Sequence, residues 1–178
     1  MSAGQNLFDR PAPPEYRDEL AALIAVAPDK PRSRAGSILL FQLGELRLAL
    51  PVRTTVAVAP VLHIARIPHR SGTVLLGLAA FRGEILPCCS LARLFDISQV
   101  DSNTSCTLIL EEGPGRRWAA PIDAVLGVRL MPDASEQQEQ ASGPLAAQWL
   151  AGSFDDTGGV FHLLDSKILF RQITLATA

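Results

Sequence analysis

The chain has 178 residues, of which 48% are apolar and 19% charged, and its net charge is −2. This is the composition of a globular protein rather than a disordered one, and the slight acidity speaks against a nucleic-acid binder, which carries a basic face. The longest strongly apolar stretch, Thr73 to Phe81, is far shorter than the ~20 residues a bilayer crossing needs. The opening Met-Ser-Ala-Gly-Gln-Asn has neither the basic nor the apolar region of a signal peptide, so a cytoplasmic location is expected.

Residues 1–35 differ in texture from the remainder. Pro11, Pro13, Pro14, Pro28 and Pro31 bracket a segment, Glu15 to Ala27, in which Tyr16, Leu20, Leu23, Ile24 and Ala27 recur at helical spacing. Pro14 suits a first helical position and Pro28 stops continuation. The reading is a tail with one short amphipathic helix and a basic linker, Lys30 to Arg34. So short a helix is marginal alone and must dock on its own domain or on a partner.

After Gly36 the pattern turns to strands. Ser37 to Leu43 and Leu46 to Leu50 flank Gly44-Glu45, which predicts a tight hairpin with a type II′ turn. Further strands are expected at Val56 to Val58, Ile64 to Ile67 and Glu84 to Cys88, with turns at Pro60, Pro68 and Arg82-Gly83. Ser90 opens a helical turn with Leu91, Leu94 and Phe95 on one face. A second hairpin runs Cys106 to Glu111, through Glu112-Gly113-Pro114-Gly115, and back along Arg116 to Ala120. Cys88 and Cys89 are neighbours that point to opposite faces of a strand. With Cys106 they read as reduced core thiols, since no CxxC or metal-ligand spacing is present.

The chain repeats itself. At an offset of 75, Gly77 matches Gly152, Gly83 matches Gly158, Ile85 matches Val160, Leu86 matches Phe161, and Leu94-Phe95 matches Leu169-Phe170. At an offset of 70, Ala49-Leu50-Pro51-Val52 matches Ala119-Ala120-Pro121-Ile122. Two related all-β modules follow, 36–97 and 104–172, each opening with a hairpin and closing on a helical turn. Phe41, Leu48, Leu50, Ile85, Leu86 and Leu94 are expected in the first core, and Ile109, Ile122, Val160, Phe161 and Leu169 in the second.

The stretch Leu76 to Phe95, with Phe81-Arg82-Gly83-Glu84-Ile85-Leu86-Pro87 at its centre, resembles the CheW-like domain of bacterial chemotaxis adaptors. Phe41-Gln42-Leu43-Gly44 followed by Leu48-Ala49-Leu50-Pro51-Val52 resembles that family's opening hairpin. The resemblance covers about residues 37–170. It implies a pair of five-stranded Src-homology-3-like barrels in one CheW-like domain, residues 36–178, after the N-terminal tail with its helix. It also implies a non-enzymatic signalling adaptor that needs no cofactor. The partners implied are the regulatory domain of a CheA-type histidine kinase and the cytoplasmic tip of a methyl-accepting chemoreceptor. The chain departs from the family at Ala80, where Asn is usual, at Ala57, where Glu is frequent, and at Ser90, where Asp is usual. Ser and Asp both cap helices, and Asp165 stands at the position matching Ser90 in the second half.

Arg82 is the first candidate contact residue, beside Gly83 in a turn between two apolar segments; by resemblance it matches the family's partner-binding arginine. Its competing reading is a solvated turn residue. Val56, Ala57 and Val58 on the nearby strand complete the expected protein-binding face. Catalysis is not expected: His63, His69 and His162 lack zinc-like spacing, and Asp155-Asp156-Thr157-Gly158-Gly159 is turn chemistry. Arg116-Arg117-Trp118 reads as the exposed shoulder of a hairpin. The alternative function is a double barrel binding a small ligand between its modules, which requires polar residues converging on a pocket.

Overall fold

The computed structural model describes residues 36–69, 74–97, 104–132, 145–157 and 159–177. The helix expected over Glu15 to Ala27 lies outside them. Eleven strands are present among these residues: β1 Ser37–Leu43, β2 Leu46–Pro51, β3 Thr55–Pro60, β4 Ile64–Ala65, β5 Leu75–Phe81, β6 Glu84–Cys89, β7 Cys106–Glu111, β8 Arg117–Ile122, β9 Ala124–Leu130, β10 Leu150–Asp156 and β11 Gly159–Leu164. Two helices, α1 Leu91–Leu94 and α2 Ser166–Thr177, follow β6 and β11. Gly44 takes a positive φ of 59°, as the first central residue of the expected hairpin turn should.

The strands form a five-stranded sheet in the order β10-β11-β2-β1-β9 and a six-stranded sheet in the order β3-β7-β8-β6-β5-β4. The sheets do not coincide with the sequence repeats. The opening hairpin of each half sits in the sheet completed by the other half, so β1–β2 joins β9, β10 and β11, and β7–β8 joins β3, β5 and β6. The joints are short parallel seams: Leu163 opposite Ala49 in one sheet and Cys88 opposite Ala119 in the other. Both seams obey the offsets of 75 and 70 found in the sequence. The repeat is therefore structural, and it governs a pair of exchanged hairpins.

Burial explains the exchange. Strand β1 is apolar on both faces, and both are used: Leu39, Phe41 and Leu43 enter a large shared core, while Ile38 and Leu40 face a smaller cluster with Phe154, Phe161 and Leu163. The hairpin β7–β8 behaves likewise, with Leu108, Leu110, Trp118 and Ile122 in the shared core and Ile109 and Ala119 in a cluster with Ala79, Leu86 and Cys88. A strand buried on two faces reads as a continuous apolar run rather than an alternation. The expectation of two separate cores is thus corrected: Phe41, Leu48, Leu50, Ile122 and Leu169 share one core, with Leu94 packed against it. Ile85 and Val160 do not belong to any core. Ile85 is 72% exposed and Val160 is also exposed, since both point outward at the start of the returning strand of a hairpin.

The helices cap the shared core. Ser90 accepts the backbone N–H of Arg93 at 3.3 Å, and Asp165 accepts those of Lys167 and Ile168 at 2.8 and 3.2 Å, so both expected N-caps are in place. Leu91, Leu169, Phe170 and Ile173 press inward from the two helices, joined by Phe95 at the end of α1. Cys88 and Cys89 face different clusters, as neighbours on a strand must. Burial pushes both thiols up to about 12, which keeps them protonated and unreactive at neutral pH.

Candidate protein-binding surface

Strands β5 and β6 pair antiparallel from Leu75–Cys89 to Phe81–Glu84, and Arg82-Gly83 forms the turn. Arg82 has φ 49° and Gly83 φ 85°, so both central residues are left-handed, as the tight turns that match strand twist require. Glycine occupies that region freely, whereas arginine is strained there by about 1 kcal/mol or more. The Arg82 side chain is exposed, and its guanidinium lies 5.1 Å from the centre of the Phe81 ring, within cation–π range. Phe81 in turn packs against the inner cluster of the six-stranded sheet. Exposed Ile85 stands three residues further on.

Strand β3 supplies the other expected contact residues. Val56 and Val58 are 41% and 45% exposed, while Ala57 turns inward and packs against the same cluster as Phe81. The strand pairs with β7, and the register slips between Thr55 and Ala57, which leaves Val56 in a bulge. In sheet order β7, β8 and β6 separate β3 from β5. Ala57 and Phe81 thus share a cluster, and Arg82's stacking partner is Phe81. Ala57 offers no carboxylate to it.

Several features escaped the sequence reading. Arg117 is held by Glu84 at 2.8 Å and by Glu111 at 2.9 Å, an ion-pair triad across β6, β8 and β7 that raises its pKa, chiefly through the hydrogen bond to Glu84. Trp118, expected on an exposed shoulder, is buried in the shared core, because hairpin β7–β8 is covered on both faces. Strand β9 exposes Leu126, Val128 and Leu130, each 70 residues after Val56, Val58 and Pro60. The offset already present in the sequence was the signal that could have found this second stripe.

Ser153 and His162 are hydrogen-bonded at 3.0 Å, but both side chains are buried inside the five-stranded sheet. Asp156 is engaged by the Thr157 N–H and by Arg129, contacts that hold its carboxyl below the usual range, with the Thr157 hydrogen bond the larger cause. An open groove of about 270 Å³ is bordered by Arg53, Thr54, Glu111, Glu112, Lys167 and Phe170. That is below the roughly 300–1,000 Å³ of small-molecule pockets, and its two glutamates already pair with Arg117 and Arg116.

Burial lowers the pKa of His162 from 6.5 by disfavouring the charged ring. The unfolded chain therefore binds a proton at His162 more readily than the folded one. Stability is full above about pH 6.5 and declines as pH falls below it, until the folded-state pKa is passed. Urea midpoints measured from pH 7.5 to 5 should fall more steeply for the wild type than for His162→Gln. Parallel pH profiles for the two proteins would contradict a buried, neutral His162.

A double-sheet domain with an exposed turn arginine and apolar outer strands, its Ser–His pair sealed inside, has the makings of a binding module. The CheW-like domain model matches residues 37–174, and the chain belongs to that family. Family membership makes it a chemotaxis-type scaffold or adaptor protein. Among curated proteins it is similar to Protein FrzA of Myxococcus xanthus, 29% identical over 134 residues that cover 72% of this chain and 82% of that one. Among solved structures it shares the fold of the scaffolding protein TtCheW from Thermoanaerobacter tengcongensis, with a TM-score of 0.62, 21% identity, and 74% of this chain covering 85% of that one. Among the described residues no helix is long and apolar enough to cross a membrane.

Proposed function

We propose that the protein couples a chemoreceptor to a histidine kinase in a bacterial chemosensory pathway, working in the cytoplasm through its surfaces and without chemistry of its own. In this reading residues 36–178 are the adaptor domain and residues 1–35 a tail. The partners are the regulatory domain of a CheA-type kinase and the cytoplasmic tip of a methyl-accepting receptor. The observation that carries the proposal is Arg82: exposed, held in a left-handed turn where glycine would be unstrained, and braced on Phe81 beside exposed Ile85. Strain kept at an exposed cation supports a contact role, because a solvated turn alone would favour Gly or Asn. Gly83 and the exposed Val56 and Val58 complete the proposed surface, and Ala57, expected with them, turns inward beneath it. The exposed residues of β3, Val56 and Val58, are apolar, and Ala57 between them brings no carboxylate to Arg82.

Titration of the purified protein against each partner domain tests the proposal. Arg82→Ala should weaken binding by about 2 kcal/mol, and Arg82→Lys should recover only part, because a point charge does not replace a planar fork. Arg82→Gly should lose binding while the hairpin becomes more stable, an opposition of signs that a structural arginine would not produce. Equal affinities for all four proteins would reduce Arg82 to a turn residue. No wild-type affinity for either domain would overturn the adaptor reading.

A further inference from the structure

The internal duplication allows one sheet to serve as a control for the other. Ala49 meets Leu163 at one parallel seam and Ala119 meets Cys88 at the other. Counting outward along the paired strands makes Arg47 the counterpart of Arg117, Gln42 of Glu111, and Gly159 of Glu84. In the six-stranded sheet the arginine is clamped by both carboxylates, at 2.8 and 2.9 Å. In the five-stranded sheet both carboxylates are replaced, one by an amide and one by a glycine, and the arginine is kept.

The structure places that arginine over the glycine. The Nη1 of Arg47 lies 2.5 Å from where a Gly159 side chain would begin, so the guanidinium fills the space that the glycine leaves. Arg47 is half-buried, and none of the four ion pairs among the described residues includes it. The amide nitrogen of Gln42 donates to the Gly44 carbonyl at 2.9 Å. Asp156, opposite Gly159 on β10, is taken by Arg129 at 2.8 Å. Exposed Val160 adjoins the site and gives it an apolar margin.

We infer that Arg47 is a docking cation for an acidic side chain of a protein partner, which supplies in trans the carboxylate that Glu84 and Glu111 supply to Arg117 within the chain. A guanidinium on a half-buried side chain that stands over the glycine, outside those ion pairs, is placed to take a bidentate carboxylate. The site lies in the other sheet from Arg82, so it is a second contact point; it rests on the adaptor reading for the identity of its partners.

The test uses the full chain with the kinase regulatory domain and the receptor's cytoplasmic tip as probes. Arg47→Ala should lower affinity for at least one probe by roughly tenfold and flatten its dependence on salt. Gln42→Glu rebuilds the arrangement of the other sheet and occupies Arg47 internally. It should lower the same affinity severalfold while Tm stays level or rises. An affinity loss in Arg47→Ala that comes with a lower Tm, and without any loss in Gln42→Glu, would make Arg47 a packing residue and overturn the inference. Wild-type binding that both variants leave intact overturns it alone. No wild-type binding to either probe overturns the adaptor reading and this inference with it.

Discussion

Phe41→Ala is expected to destabilise the domain by about 3–5 kcal/mol and to leave a single unfolding transition. Phe41 is fully buried in the core shared by both sheets, where it lies among residues of β2, β7, β8, α1 and α2. Removing the ring opens a cavity that neither sheet can close alone, since the hairpin carrying it is pinned on its other face by Phe154 and Phe161. The exchanged hairpins make the two halves of the repeat interdependent, and independent melting of the halves is not available to this topology. Urea titration followed by both tryptophan fluorescence and circular dichroism checks this. Trp118 and Trp149 both sit in the shared core and report on its opening. Separate midpoints for the two signals, or a loss below about 1 kcal/mol, would contradict the shared core.

Gly77→Ala is expected to cost about 2–5 kcal/mol, combining backbone strain with a steric clash. Gly77 has φ 148°, and a Cβ there would be driven into the backbone carbonyl of Ala65 on the neighbouring short strand β4. Backbone cannot swing aside as a long side chain can, so β4 must shift or detach. Gly127 supplies the control. Its φ of 149° matches Gly77 in strain, but no atom lies within 4 Å of the added carbon. Gly127→Ala should therefore cost only the strain, about 1–3 kcal/mol. The difference between the two variants in chemical denaturation isolates the clash. Equal losses would show that β4 yields freely and that strain alone decides Gly77.

How far the sequence reaches can be judged from particular residues. The strands of the two opening hairpins, the Gly44 turn, the opposed cysteines and the paired caps Ser90 and Asp165 depend on local chemistry: apolar runs, positive φ and side-chain oxygens near helix starts. Such features are legible in one dimension, because the interacting groups are a few residues apart. The offsets of 75 and 70 belong to the same class, and they predicted which residues would be equivalent. They did not predict which would touch. An apolar residue in the first two positions of a returning strand, such as Ile85 or Val160, looks the same whether it points into a core or into solvent. Only the direction of the hairpin decides it.

The sequence by itself determined a repeat of two related β-patterns, each with an opening hairpin, a glycine-containing turn segment (Arg82-Gly83 and, at the offset of 75, Thr157-Gly158) and a helix-capping residue, Ser90 or Asp165. The tertiary structure decided that the hairpins change places, because β1 and β7 are apolar on both faces and need a neighbour on each. From that exchange follow the shared core, the burial of Trp118, and the contrast between a clamped Arg117 and an Arg47 that joins none of the ion pairs among the described residues. Those properties arise from contacts between residues some 30 to 115 positions apart, at distances along the chain where pattern carries no information about pairing and only the packing of both faces selects the partner.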